Sequence, residues 1–430
     1  MRLTKLGYLT CILLLLTILL FAVCAQAQQV PASVYNRYVN LAGTLVETQD
    51  RKLAPAALYA DIYAFYQQQI THSAQRQLLA GNLLLQVLLM QPNYAESYAV
   101  VSHLLTLPLS AKQQLSFQQL AGQLAASQQQ GMKTTRSEID ENAQWATVAQ
   151  HLTAWFALVS KLDDKKLAEY HISTRQQAAN AALLAQAYYL QAHLSQALSA
   201  AQQAYKLVPM NESYLQLLLA LLQRLELHQL LNKQLAVAVV DFPSNKDYWE
   251  RLAYSYLQLD DEQSALSTLA VTRNQGLLTA QGYRVLASLY LTLQQPRLAA
   301  TVYLEGAERR VIKLDTAYYK GLSDAWLMAR ERGQALLVLQ QAEVAGIVLA
   351  KNGQQQAQLL YLEGRWRDAE KAYYKLLDVN KSVTVKDTDK WRFMLAMSQF
   401  EQAKKAEAQA NLLLLKSEQY QGYAKEWLAL

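Results

Sequence analysis

The chain has 430 residues, 52% of them hydrophobic, with 40 basic against 34 acidic side chains and a formal charge of +6. An excess that small, with no run of Lys and Arg long enough to track phosphates, argues against a nucleic-acid partner. Only two cysteines are present, Cys11 and Cys24, too few and too near the start to build a disulfide framework or a thiolate metal site in the body of the chain.

Arg2 and Lys5 precede an apolar stretch from Leu6 to Val23, followed by Ala25-Gln26-Ala27. This order of basic, apolar and small residues predicts a signal peptide over 1–27, cut after Ala27, and hence export to the periplasm. Two alternatives stay open. The stretch is just long enough to remain as an anchor, and Cys24 offers a thiol for lipidation, although Val23 and Phe21 suit a lipoprotein signal poorly.

Residues 28–126 are predicted to be helical, with apolar spacing of helical period around Leu78–Met90 and Tyr94–Leu107, punctuated by Pro55, Pro92 and Pro108. The apolar run Leu83–Met90 is too short to span a bilayer and predicts a buried helix. Residues 127–140 are polar, with Gln128-Gln129-Gln130-Gly131 at their centre, and are expected to be a linker. A divergent helical segment follows over 141–177, its apolar face set by Trp145–Val159.

From about residue 178 a single pattern returns. Trp249, Leu252, Ala253 and Tyr256 stand at i, i+3, i+4 and i+7 on one helix, and Ala265, Leu269 and Thr272 line a second after the turn Leu259–Glu262. Ala253 and Ala265 are small, so the two helices can approach closely. The marker position recurs every 34 residues at Ala181, Leu215, Trp249 and Tyr283; a further unit follows at Leu322, Ser323 and Trp326 with Ala335, and two weaker ones at Ala357 and Leu360 with Ala369 and at Leu395 and Ala396 with Ala408. About seven helix pairs are thus expected over 178–419, with 420–430 as a C-terminal cap. One pair departs: Leu219 and Leu231 occupy both small-residue positions, which predicts a local change of helix spacing near 215–240.

Sites of chemistry are scarce. His72, His103, His151, His171, His193 and His228 are scattered, with no metal-ligand spacing on one helix face. No phosphate-binding glycine loop or nucleophile elbow occurs; Gly321-Leu322-Ser323-Asp324-Ala325 lacks the second glycine. The acidic clusters Asp163-Asp164 and Asp260-Asp261-Glu262 fall at helix entrances, where carboxylates cap free amides. The expectation is a chain that is not an enzyme, with no cofactor, no metal and no small-molecule substrate. Tyrosine stands out, with 26 Tyr against 7 Phe, and suits contact surfaces that need area and a polar tip.

The 34-residue helix pair with its small positions, and Pro209 and Pro243 ending second helices, resemble the tetratricopeptide repeat. The resemblance implies an all-α solenoid of antiparallel helix pairs, wound as a right-handed superhelix. It also implies a partner-binding groove, lined by residues one, five and eight positions after the marker. Carried onto this chain, the candidate groove residues are Gln186, Tyr189, Glu250, Tyr254, Arg284, Lys320, Asp324, Gln358 and Tyr361. Within the repeats, Phe242–Trp249 with Leu252–Tyr256, and Gln275–Thr279 with Ala325–Arg330, are similar to exported tetratricopeptide proteins that accompany TonB–ExbB–ExbD systems in Gram-negative bacteria. That likeness implies a periplasmic adaptor with protein partners of the TonB, ExbB or ExbD type, reaching a membrane only through them or through an uncleaved signal. A periplasmic scaffold for cell-wall enzymes or outer-membrane assembly is the alternative.

Overall fold

The structure, a computed structural model, describes residues 30–47, 56–91, 93–131, 138–347, 352–379 and 384–429. The expected signal peptide, 1–27, lies outside these residues. Among the described residues all regular structure is α-helical, in twenty-two helices. The chain divides into two compact units, the first ending at Leu231 and the second beginning at Asn232.

The first unit opens with α1 (Ala32–Glu47), α2 (Ala56–Gln69), α3 (Ala74–Met90) and α4 (Tyr94–Leu104). In α3 every residue from Leu78 to Leu88 is buried, so the apolar run is the centre of this unit's core, as its length predicts. Leu83, Leu88, Val101, Leu104 and Phe117 meet there. No described helix is long and apolar enough to cross a membrane.

Next come α5 (Ala111–Gly131) and α6 (Glu138–Val159), packed together along their length. Gln144 donates to the Ala125 carbonyl at 3.0 Å and Gly122 abuts Leu152. Of the predicted linker over 127–140, residues 127–131 and 138–140 are helical, as parts of α5 and α6, and 132–137 lie outside the described residues.

A short α7 (Asp164–Glu169) precedes α8 (Thr174–Leu190), α9 (Leu194–Leu207) and α10 (Glu212–Arg224). Asp163 and Asn211 cap their helices through the amides of Lys166 and Tyr214 at 2.8 and 3.2 Å, the capping role expected of the Asp163-Asp164 cluster. The division between the units falls inside α11 (His228–Asp241), within the repeat whose two small positions are both leucine.

The second unit continues with α12 (Lys246–Leu257), α13 (Glu262–Asn274), α14 (Ala280–Thr292), α15 (Pro296–Glu308), α16 (Thr316–Met328), α17 (Arg332–Val344), α18 (Asn352–Leu362), α19 (Trp366–Val379), α20 (Val385–Phe400), α21 (Lys405–Leu413) and α22 (Glu418–Leu428). Consecutive helices pack as pairs. The small positions of each pair, Ala253/Ala265, Ala287/Ala299, Ser323/Ala335, Ala357/Ala369 and Ala396/Ala408, are all buried, which is what close helix approach requires. At the end, Ala424, Tyr420 and Trp427 of α22 cover a cluster formed by Phe393, Met397 and Phe400. The terminal helix begins at Glu418, slightly before the expected cap.

The turn inside each pair is built alike. Ala192, Glu226, Asp260, Gln294, Arg330, Gly364 and Ala403 all have φ between 55° and 71°, and the amide of the next residue returns to a carbonyl five back, as in Asp261 to Tyr256 at 2.9 Å and Glu331 to Trp326 at 2.9 Å. This is a left-handed helix cap, and only Gly364 has the residue that adopts it freely. Replacing the exposed Gln294 or Arg330 by glycine is expected to stabilise the protein by about 0.5–1 kcal/mol, read as a raised urea midpoint.

Candidate functional site

The groove positions of the first complete repeat meet a pocket of about 330 Å³ between α8 and α10. Ala182 and Ala220 leave the space, because neither side chain extends past Cβ. Gln186, Tyr189 and Leu190 form one wall, and Ser213, Tyr214, Leu217 and Leu221 the other. Tyr189 is 44% exposed, so a large ring stands at the mouth in water. The lining is mainly apolar and holds neither a histidine nor a carboxylate.

Sequence reasoning placed Gln186 and Tyr189 here but did not assign the α10 wall. The same rule of five positions after the marker, applied to Leu215, gives Ala220. The candidate list omits that repeat, whose small positions are Leu219 on α10 and Leu231 on α11.

In the second unit the candidate residues part company. Glu250 is not on the groove surface: it is buried, and accepts hydrogen bonds from the Thr279 amide at 2.7 Å and the Thr279 hydroxyl at 2.9 Å. Thr279 in turn caps α14 through Gly282. A Cβ at Gly282 would run into the Glu250 carboxylate and Leu278. Glu250 therefore fastens the start of the next repeat, because a free helix terminus beside it attracts a carboxylate more strongly than the solvent does.

Arg284 pairs with Asp315 at 2.9 Å, and Asp315 caps α16 through the Tyr318 amide, also at 2.9 Å. The Tyr318 amide above all, and then the Arg284 charge against the opposing effect of burial, hold the Asp315 carboxyl below its usual value. Tyr254 is half-buried; burial raises its hydroxyl, with a hydrogen bond from Gln281 and the charge of Glu250 acting in opposite directions. Tyr361 packs edge-on against Trp366 with ring centroids 4.9 Å apart. Lys320 and Gln358 are exposed.

Asp324 is half-buried and makes no hydrogen bond or ion pair among the described residues. Burial raises its carboxyl above the usual value, against the opposing charge of Lys320. An ionised carboxylate there costs stability that is absent below the ordinary value of 3.8 and grows as pH rises through the raised one. Asp324→Asn is accordingly expected to raise the melting temperature near neutral pH and to lose that advantage at about pH 3.5.

The histidines serve packing where their contacts are described. His151 bridges Tyr98 at 3.1 Å and Gln118 at 2.7 Å, and burial lowers its pKa; His103 meets Gln77 at 2.8 Å. Asp261 caps α13 through the Ser264 amide at 3.0 Å. Among the described residues no three His, Cys, Asp or Glu side chains come together as a metal site.

The architecture is that of an all-α tetratricopeptide-type solenoid, and it follows from the recurring helix pairs themselves. No family model matches the chain, and no curated protein is significantly similar to it. Among solved structures it is similar to a tetratricopeptide repeat protein from Parabacteroides merdae, with 14% identity over 59% of this chain and 98% of that one at a TM-score of 0.34. It is also similar to pilF of Pseudomonas aeruginosa, with 13% identity over 49% of this chain and 95% of that one at 0.32. A third likeness is to the Cut9–Hcn1 hetero-tetramer of the APC/C, with 11% identity over 91% of this chain and 99% of that one at 0.31.

Proposed function

We propose that this protein is an exported adaptor that binds a protein partner along the face of its first helices and assists a TonB–ExbB–ExbD energy-transduction system. The pocket between α8 and α10 carries the binding part of this reading. It is open, mainly apolar, edged by an exposed tyrosine, and lies where consecutive first helices adjoin. Such a cleft accepts an apolar anchor from a partner segment, with Gln186 and Ser213 available to its backbone. Export is supported by the order of residues over 1–27, and the TonB association by the sequence likeness at Phe242–Tyr256, Gln275–Thr279 and Ala325–Arg330.

Photo-crosslinking from position 189 in living cells, followed by mass spectrometry of the captured partner, tests both parts. The expected result is a TonB-, ExbB- or ExbD-type protein, captured at least about tenfold less by Ala220→Leu, which fills the exposed side of the pocket. Capture of cell-wall or outer-membrane assembly proteins instead would overturn the TonB assignment. Equal capture by Ala220→Leu would overturn the pocket.

A further inference from the structure

The pocket between α8 and α10 has a counterpart in the second unit, where α22 follows the pair α20–α21 as α10 follows α8–α9. On the earlier helix of each set the landmark is the buried small residue, Ala185 in α8 and Ala396 in α20. Counted from it, Ala182, Gln186 and Tyr189 correspond to Phe393, Met397 and Phe400. On the later helix the landmark is the N-cap, Asn211 before α10 and Ser417 before α22. Counted from there, Tyr214, Leu217 and Leu221 correspond to Tyr420, Tyr423 and Trp427. In the second unit these positions meet ring to ring. The Phe393 centroid lies 5.8 Å from Tyr420 and 6.1 Å from Tyr423, and Phe400 lies 5.4 Å from Trp427. Met397 belongs to the same cluster. The chain thus fills one such interval with rings of its own. At α8 the position of Phe393 is taken by Ala182, and the interval stays open as the pocket of about 330 Å³. Two of the residues around it, Tyr189 and Tyr214, are aromatic, and none is charged.

We infer that the pocket receives an aromatic side chain of the bound protein partner, seated between α8 and α10 as Phe393 is seated between α20 and α22. A ring offers a tyrosine wall its edge or its face, a contact that a saturated side chain of equal bulk does not make. Burial of the ring supplies most of the attraction, and a lining without charge disfavours a basic or acidic side chain, which would lose its water without gaining a counter-ion. This inference rests on the reading that the first-helix face binds a partner, and it adds which side chain that partner presents.

Two measurements on the full chain test this. Ala182→Phe transplants the arrangement of Phe393, and its ring is expected to enter the pocket and leave the melting temperature unchanged or higher; a cleft not shaped for a ring would be overpacked and melt several degrees lower. The second measurement adds short glycine-flanked peptides, identical except for a central phenylalanine in one and the saturated cyclohexylalanine in the other, to protein with isotope-labelled leucine methyl groups. The phenylalanine peptide is expected to bind at least about threefold more tightly. Its ring current should shift the methyl resonances of Leu190, Leu217 and Leu221 while leaving Leu286 of the second unit in place. Ala182→Phe and Ala220→Leu should each abolish both effects. A lowered melting temperature in Ala182→Phe, equal affinity for the two peptides, no binding of either at millimolar concentration, or a preference that survives in Ala220→Leu would each overturn the proposal. If Ala220→Leu loses the cellular partner while the two peptides bind alike, this inference falls and the adaptor reading stands. If the preference for phenylalanine holds but neither variant changes cellular capture, the seat stands and the adaptor reading falls.

Discussion

Replacing Glu305 by alanine is expected to destabilise the second unit by about 3 kcal/mol, the scale of a mostly buried charge stripped of its partners. Its carboxylate, on α15, pairs with Arg273 from α13, its Nε at 2.6 Å, with Arg309 at 3.1 Å, and accepts from the Tyr283 hydroxyl of α14 at 3.2 Å. Three helices from two repeats meet on one side chain. Alanine leaves the Arg273 and Arg309 guanidiniums and the Tyr283 phenol without their shared acceptor. Burial alone would raise the Glu305 carboxyl, but the Arg273 hydrogen bonds and charge, then Tyr283 and Arg309, outweigh it and hold it below its ordinary value of 4.5. A depressed carboxyl contributes stability above its unfolded value and loses it as pH falls through the folded one. Urea unfolding of wild type and Glu305→Gln should therefore differ most near neutral pH and converge as pH falls below the ordinary value of 4.5 and through the folded one. Parallel curves over the whole range would remove the ion cluster from the account.

Glu250→Ala is expected to cost about 2–3 kcal/mol, because it strips the Thr279 amide and hydroxyl of their acceptor inside the protein. Lys320→Ala and Gln358→Ala, both at exposed groove positions, should change stability by less than about 0.5 kcal/mol. The contrast separates fastening residues from surface ones under the same positional rule. Gly282→Ala supplies the coupled test: its new methyl group collides with Glu250 in the wild type, so its cost should shrink in the Glu250→Ala background. Additive losses would mean that the two residues do not share one space.

The repeat was legible because its determinants are local. Ala253 and Ala265 announce close packing within one helix pair, and Tyr283 or Leu322 marks the same face again a repeat later. The fate of Glu250 was not legible, because its partner is 29 residues away and the distance between them is set by how one repeat seats on the next. The only hint was glycine at 282, three residues after a capping threonine, where a side chain is otherwise tolerated. The left-handed turns were hidden for another reason. Asp260 falls in the polar turn Leu259–Glu262, but neither it nor Gln294 nor Arg330 is the glycine that ordinarily signals that backbone. At the pocket, Gln186 and Tyr189 followed from position, whereas Tyr214 and Leu217 stand one before and two after the marker Leu215, where the groove rule does not reach.

Three of the fastenings in the second unit point the same way along the chain. Glu250 of α12 holds the start of α14, Arg284 of α14 holds the cap of α16, and Asp389 of α20 accepts the amides of Lys416 and Ser417, at 3.0 and 2.6 Å, ahead of α22. A helix pair that lets go thus also releases the front of the pair behind it. Under tension applied at the C-terminus, the outermost pair carries the load and yields before the clamp beneath it is tested. The unit would pay out chain in single-repeat lengths, each on the order of 100 Å when drawn straight, and act as a ratcheted tether.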